Sequence, residues 1–537
     1  MRTSVSTSIA LGLTLLGVEL GGQTDVEYQE WLKKEQQALQ EFQDARDREF
    51  VAFLQQEWKE LQAFQGIQQD SVPKPHVQPV AQVPVPAPTA PAIEAPTVAP
   101  LPVVPPPVLP SQPPAPAPAP PAPAPTTEQP LPQAPPALAP ALPPPRPATE
   151  QRPPPAQPAP APVPPAPPET PAPRQASCTF YGTPLTIVYD QALVPSLGSP
   201  VDKEAISAFW AALSRADYPA FLAQAKRYRE QMQLNDWGYY QLLDCLAQAV
   251  CTGEDNQRKL LVWFLLCKSG YGAQIGYDQG QVFLLLPTGD ALYGIPFFTL
   301  GGRRFYAVSA AGKAEPVENL STYEGSYPGA DQALAVRMAG PPRLDDVAVE
   351  KTLAFQCNGT EQRIPVRLNR NEVTFFADYP QTEYEVYFAA SPSAATDESL
   401  IRYLQPLVTG KSETEEVNLL LSFVQTAFAY GTDDEQFGRE KPLFPDETLY
   451  YPFSDCEDRS VLFAYLVRRL TGLDVIGLSY PGHVATAVRF SNPVSGDNVV
   501  YKNVDYAVCD PTYTNAEAGM GMPQNKGVAA RVIPIGL

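Results

Sequence analysis

The stretch Tyr451-Pro-Phe-Ser-Asp455-Cys456-Glu-Asp-Arg459-Ser-Val-Leu-Phe-Ala-Tyr-Leu-Val-Arg-Arg-Leu470-Thr-Gly472 decides how this chain is read. Asp455 is a good N-cap, apolar residues follow at helical spacing, and Gly472 is a natural stop, so a helix is expected to open at Cys456. A thiol at the first helical position sits among unpaired backbone N–H groups at the positive end of the macrodipole, which suits a nucleophile. Asp455, Glu457 and Asp458 oppose this unless they turn outward or pair with Arg459.

Downstream, Asp474 to Tyr480 reads as a strand, Pro481-Gly482 as a turn and His483 to Phe490 as a second strand. Val499 to Cys509 is a third, closed by Asp510-Pro511-Thr512-Tyr513. Cys456 to His483 is 27 residues and His483 to Asp510 is 27 again, so one helix and neighbouring antiparallel strands can bring the three side chains together. Cys456 would then be the nucleophile, His483 its proton acceptor and donor, and Asp510 the group that orients the imidazole. The chain has 2 His, and the other, His76, lies in a Pro-rich stretch, so His-dependent chemistry must use His483. A multi-His metal site is excluded, and 7 Cys without a C-x-x-C pair argue against zinc. No cofactor and no metal are expected.

These residues resemble the transglutaminase-like fold, especially its bacterial cysteine-peptidase members. The likeness lies in Cys456-Glu-Asp458 opening a helix, Leu466 to Gly472 ending it, His483 starting a strand and Asp510-Pro-Thr closing the next; it covers about Glu413 to Pro523. It implies a papain/transglutaminase-like catalytic domain at 401–537 and a Cys456–His483–Asp510 triad acting on an amide carbonyl. A polar side chain upstream of the Cys commonly assists the oxyanion in this fold, which singles out Gln425, with Gln436 second. The acidic stretch Tyr430 to Tyr451 is longer than in many members and is expected to be a solvated loop over the site.

Asp255 to Leu286 reads as a worn copy of Asp455 to Val488. At an offset of 200, Asp255 meets Asp455, Trp263 meets Phe463 and Gly272 meets Gly472; after a two-residue deletion Gln281 meets His483. Asn256 and Gln281 would stand at the catalytic positions, which makes 177–335 an inactive transglutaminase-like copy or, alternatively, another α+β domain. Arg337 to Ala390 alternates like strands, so a small β domain is expected over 336–400. The fold class is α+β.

Of 65 Pro, 43 lie between Ser71 and Phe180, about 40% of that segment, which cannot build a core. Residues 67–176 are therefore expected to be a disordered Pro/Ala-rich linker that favours polyproline II. Before it, 23–66 lacks Pro and is charged, and its apolar residues recur every eleven positions: Trp31, Phe42, Phe53 and Phe64, with Leu39, Phe50 and Leu61. A long amphipathic helix is expected, tethered far from the globular part; its stripe suits self-association or docking on another protein, or packing back on the chain's own domains. Arg2, the apolar run Ile9 to Val18 and Leu20-Gly21-Gly22 read as a signal peptide over 1–22. Export to the periplasm, cell envelope or medium follows.

Net charge is −20 and no basic cluster occurs, so nucleic acid is not an expected partner. The longest apolar run, Leu260 to Cys267, is too short to span a bilayer. The expected function is an exported cysteine peptidase or amidase acting on a protein or cell-envelope peptide. Protein cross-linking and a non-catalytic envelope scaffold that keeps the fold are the alternatives.

Overall fold

The computed structural model describes residues 23–56, 58–69, 72, 74, 173–338, 340–357 and 359–535. The signal-peptide reading of 1–22 and nearly all of the 67–176 linker, including His76, lie outside them. The described residues form mixed helices and mostly antiparallel sheets, with one short parallel pair, Ala429–Tyr430 beside Phe453–Ser454, an α+β architecture.

Helix Cys456–Thr471 is buried on every side from Cys456 to Val467, as befits a central helix rather than a surface one. Gly472 ends it in the left-handed region at φ 74°, and Arg468 and Arg469 face the dipole's negative end. The helix packs on a five-stranded antiparallel sheet. Its strand order is Asn498–Tyr501, Val504–Cys509, His483–Val488, Val475–Tyr480, Arg531–Ile533. The Tyr480↔His483 pair closes the central hairpin through Pro481-Gly482.

The first half of the globular region repeats this plan. Helix Asp255–Lys268 leads into Gln274–Asp278 and Gln281–Pro287, and the sheet runs Asn319–Thr322, Gln274–Asp278, Gln281–Pro287, Arg303–Ala307, Phe297–Leu300. Read from Asn319–Thr322, that order is the C-terminal one read from Arg531–Ile533, strand for strand and antiparallel throughout. A sixth strand, Lys59–Gln62, adds to the outer edge of Asn319–Thr322.

Residues 336–400 are not a small β domain. They hold one hairpin, Ala348–Cys357 with Thr360–Asn369, and then helices Arg370–Ala377 and Tyr384–Ala389 and the start of Ala394–Val408. Asn369 caps the first of these by accepting from the Asn371 N–H, which turns the chain out of the strand. The hairpin's inner face, including Phe355, Ile364 and Leu368, joins the main core, so the described parts of 173–535 and the N-terminal arm share one compact unit.

The N-terminal helix is shorter than 23–66 and is not held away from the globular part. It spans Gln23–Leu54; the Trp58 indole then donates to the Leu54 carbonyl at 2.8 Å, and the chain leaves as the edge strand. Its last turns pack on the repeat's helices: Phe50 is enclosed by Trp210, Trp263, Tyr323 and Tyr327 at centroid distances of 4.7, 6.1, 6.3 and 5.3 Å. Asp47 is paired with Lys268 and accepts from the Trp210 indole at 3.2 Å. The outer stripe remains exposed: Leu39 and Phe42 are 56% and 58% accessible.

Cys178 and Cys245 face each other with Sγ atoms 2.7 Å apart, joining strand Arg174–Phe180 to helix Asp236–Val250 across 67 residues. Mild oxidation is expected to close this pair, read as the loss of two hydrogens in the intact mass. Reduction of the closed form should then lower stability by roughly 2–4 kcal/mol. Cys178→Ser should abolish both effects.

Candidate functional site

Cys456 stands at the first position of its helix, where its N–H belongs to the unpaired first turn. Neighbouring strands supply the other two groups. His483 opens the second strand of the hairpin, and Asp510 follows the last residue of Val504–Cys509. Exposures of 0, 4 and 1% for Cys456, His483 and Asp510 put all three in the interior.

His483 Nε2 lies 2.9 Å from Asp510 Oδ2, which leaves Nδ1 for Cys456, to which the imidazole is also hydrogen-bonded. Burial pulls the imidazole's pKa down, but Asp510 and Cys456 outweigh it and push it up to about 10. The Cys456 Sγ accepts from the Val484 N–H at 3.4 Å. Asp510 is itself fixed: its Oδ1 accepts from the N–H groups of Thr512 at 3.0 Å and Tyr513 at 3.3 Å.

Gln425 fixes it further. Its amide donates to the carbonyls of Asp510 and Ala516, each at 3.1 Å, and its Oε1 accepts from the Asn515 N–H at 3.1 Å. Both N–H groups are thus used on the backbone, which makes Gln425 a clamp on the Asp510 loop and leaves it no donor for an oxyanion. Gln436 exchanges hydrogen bonds with the Phe453 backbone, at 3.2 and 3.4 Å, and so supports the strand entering Asp455. Tyr430 is the better-placed polar group: its hydroxyl is buried without a hydrogen-bond partner among the described residues. Burial first, then Cys456 and Asp455, raise its pKa, so it stays a neutral donor.

The acids of the first turn do not face outward, and among the described residues none forms a direct ion pair with Arg459, whose buried charge acts on Asp455 and Asp458 only through space. Asp455, Glu457 and Asp458 are 0, 0 and 1% exposed, while Arg459 donates to Ser454 and to the carbonyls of Gln425 and Phe428. The counter-ion is Lys74, 381 residues upstream of Asp455 in sequence: its Nζ lies 3.0 Å from Asp455 Oδ2 and 2.6 Å from Glu440, and is paired with Glu457. Glu457 also accepts from the Cys456 thiol at 3.2 Å. Burial acts against the Lys74 ammonium, yet Asp455, Cys456, Tyr384 and Asp433 hold its pKa well above the usual value. Asp433 and Asp458 are pushed up, by burial first and by Asp455 next.

Of the stretch 430–451, residues 434–440 are exposed or half-buried, as expected of a solvated loop, but 441–449 form a buried wall. Leu443 to Leu449 are buried, Lys441 pairs with Glu447, and Asp458 Oδ1 accepts the Leu443 N–H at 2.8 Å. The carboxylates here crowd closely enough for a cation: ligand atoms of Asp433, Glu440 and Glu457 lie within 4.8 Å of one another, as do those of Asp433, Asp455 and Asp458.

In the N-terminal repeat, Asn256 takes the place of Cys456. Its Oδ1 accepts the Val282 N–H at 2.9 Å, as Cys456 Sγ accepts that of Val484, and its Nδ2 donates to Gly280 at 2.8 Å. Gln281 stands for His483, and extending both strand ladders sets Ser309 where Asp510 stands. The amide thus holds the hairpin that the thiol holds in the other copy, without a nucleophile–base pair.

No protein-family model matches the chain, and neither the curated proteins nor the solved structures contain a match. Among the described residues no helix is long and apolar enough to cross a membrane.

Proposed function

We propose that this protein is a thiol-dependent acyl-transfer enzyme of the transglutaminase-like class, a cysteine peptidase or amidase exported to act on a protein or cell-envelope peptide. The observation that carries it is the buried relay from Asp510 Oδ2 through His483, 2.9 Å away, to the thiol at a helix N-terminus. Cys456 attacks an amide carbonyl, the C–N bond breaks as His483 protonates the departing amine, and water then hydrolyses the thioester. The Cys456 N–H and the Tyr430 hydroxyl are the donors best disposed toward the oxyanion. Asp510, clamped by Gln425, keeps the ring oriented.

The test is acyl-enzyme trapping with a panel of cell-envelope peptides. A thioester adduct on Cys456 and released amine are expected, and both should vanish in Cys456→Ala. Full amidase or peptidase activity in Cys456→Ala would overturn the proposal. The scaffold reading keeps one supporting observation, the complete burial of Cys456; it predicts no adduct with any peptide. Cross-linking predicts transfer of the acyl group to an added amine in preference to water.

A further inference from the structure

The group that neutralises the first turn arrives on an arm of the chain docked along the catalytically silent repeat. After the edge strand Lys59–Gln62, Phe64 bridges to Phe297, Ile67 bridges to Tyr293, and Gln69 Oε1 accepts from Gln381 Nε2 at 3.0 Å. Lys74 then enters the acidic recess beside Cys456 with its side chain 5% exposed. Four carboxylates receive it: Glu440 at 2.6 Å, Asp455 at 3.0 Å, Asp433 at 4.0 Å, and Glu457.

We propose that this recess is a substrate subsite for a primary ammonium, and that Lys74 is its tethered occupant in the resting protein. The inference rests on the acyl-transfer reading and names the substrate class: a peptide with a lysine or other diamino-acid side chain next to the bond attacked. Three observations carry it. The recess already holds a side chain of that chemistry, supplied by a segment outside the catalytic domain. Asp455, wholly buried, keeps its Oδ1 without a hydrogen-bond partner among the described residues, so the recess offers more acceptor capacity than Lys74 uses. Glu457 touches the ammonium with one oxygen and the Cys456 thiol with the other, so whatever fills the recess lies one carboxylate from the nucleophile.

Buried carboxylates in this number need a cation, since each uncompensated one carries a heavy desolvation cost. A compact primary ammonium with three donors suits four converging carboxylates better than a planar guanidinium. The carboxylates also keep the guest protonated, so the subsite recognises the amine and does not activate it as an acyl acceptor. A substrate side chain must displace Lys74, and until it does Cys456 stays covered.

The test is ligand binding to the full-length Lys74→Ala protein, read as Tm, which requires no catalysis. Nα-acetyl-lysine amide in the millimolar range is expected to raise Tm progressively, whereas the neutral Nα-acetyl-norleucine amide does not, and wild type shifts less. A shift with calcium chloride but not with the lysine derivative would make the recess a metal site and overturn the proposal. No shift with either would reduce Lys74 to a structural ion pair, equally fatal. Should Lys74→Ala not fold, iodoacetamide labelling of Cys456 in wild type decides: the lysine derivative must accelerate it and the norleucine derivative must not. Binding without any acyl-enzyme would sink only the catalytic reading; acyl-enzyme without binding would sink only this one.

Discussion

His483→Gln is expected to lower acyl-enzyme formation and turnover by roughly 10³–10⁴-fold, the range found when a general base or its orientation is lost. No other imidazole among the described residues can take over, because the chain's second His is His76. The ring is buried between Asp510 and Cys456, so Gln keeps its approximate volume but cannot carry the proton. Asp510→Ala should also cut turnover severely while leaving the ring present and misdirected. The same proton has a stability signature. The imidazole's pKa rises from 6.5 to about 10 on folding. The stabilisation it contributes is complete below about pH 6.5 and is lost as pH rises toward 10. The stability difference between wild type and His483→Gln, measured by urea unfolding across that window, should therefore shrink with rising pH. A difference that stays constant would mean that His483 is not charged in the folded protein.

Phe50→Ala should cost about 3–5 kcal/mol, the loss typical of a fully enclosed aromatic side chain. Its ring is 2% exposed and sits among two Trp and two Tyr rings, so truncation leaves a cavity that rigid neighbours cannot fill. The effect should appear in urea unfolding, and limited proteolysis should then cut within 23–56 before the rest of the chain. Leu39→Ala, on the same helix but 56% exposed, should change stability by no more than about 0.5 kcal/mol. Equal losses at the two positions would mean that the helix does not dock through its last turns.

Those two residues mark the limit of what periodicity conveys. The eleven-residue repeat correctly placed Leu39 and Phe50 on a helix. It could not say which would be covered, because burial depends on the partner surface at Trp210, Trp263, Tyr323 and Tyr327. Where the helix ends was likewise a tertiary matter. No Gly or Pro follows Leu54 closely; the end comes from the edge of Asn319–Thr322 accepting a sixth strand, whose ladder outweighs the helical propensity of Lys59–Gln62.

The N-terminal repeat shows the opposite balance. A faint alignment of Asp255 to Leu286 with Asp455 to Val488 was enough to set helix against helix and hairpin against hairpin, and the strand orders of the two sheets match. A helix start, a 3.6-residue period and a tight turn are local signals that do not depend on which side chains occupy the helix N-terminus and the strand start.

The sequence by itself determined the helix that opens at Cys456 after Asp455 and stops at Gly472, the hairpin presenting His483, and Asp510 at the end of the next strand. Each is written in neighbouring residues, and the 27-residue spacings do the rest. Only the tertiary structure decided that Gln425 clamps the Asp510 loop, that the Tyr430 hydroxyl is buried without a hydrogen-bond partner among the described residues, and that the first-turn acids are buried. Only it brought in Lys74, because a cation recruited across 381 residues answers a local excess of buried negative charge. Coulomb attraction in a desolvated recess depends on distance in space, and leaves no period, motif or spacing along the chain.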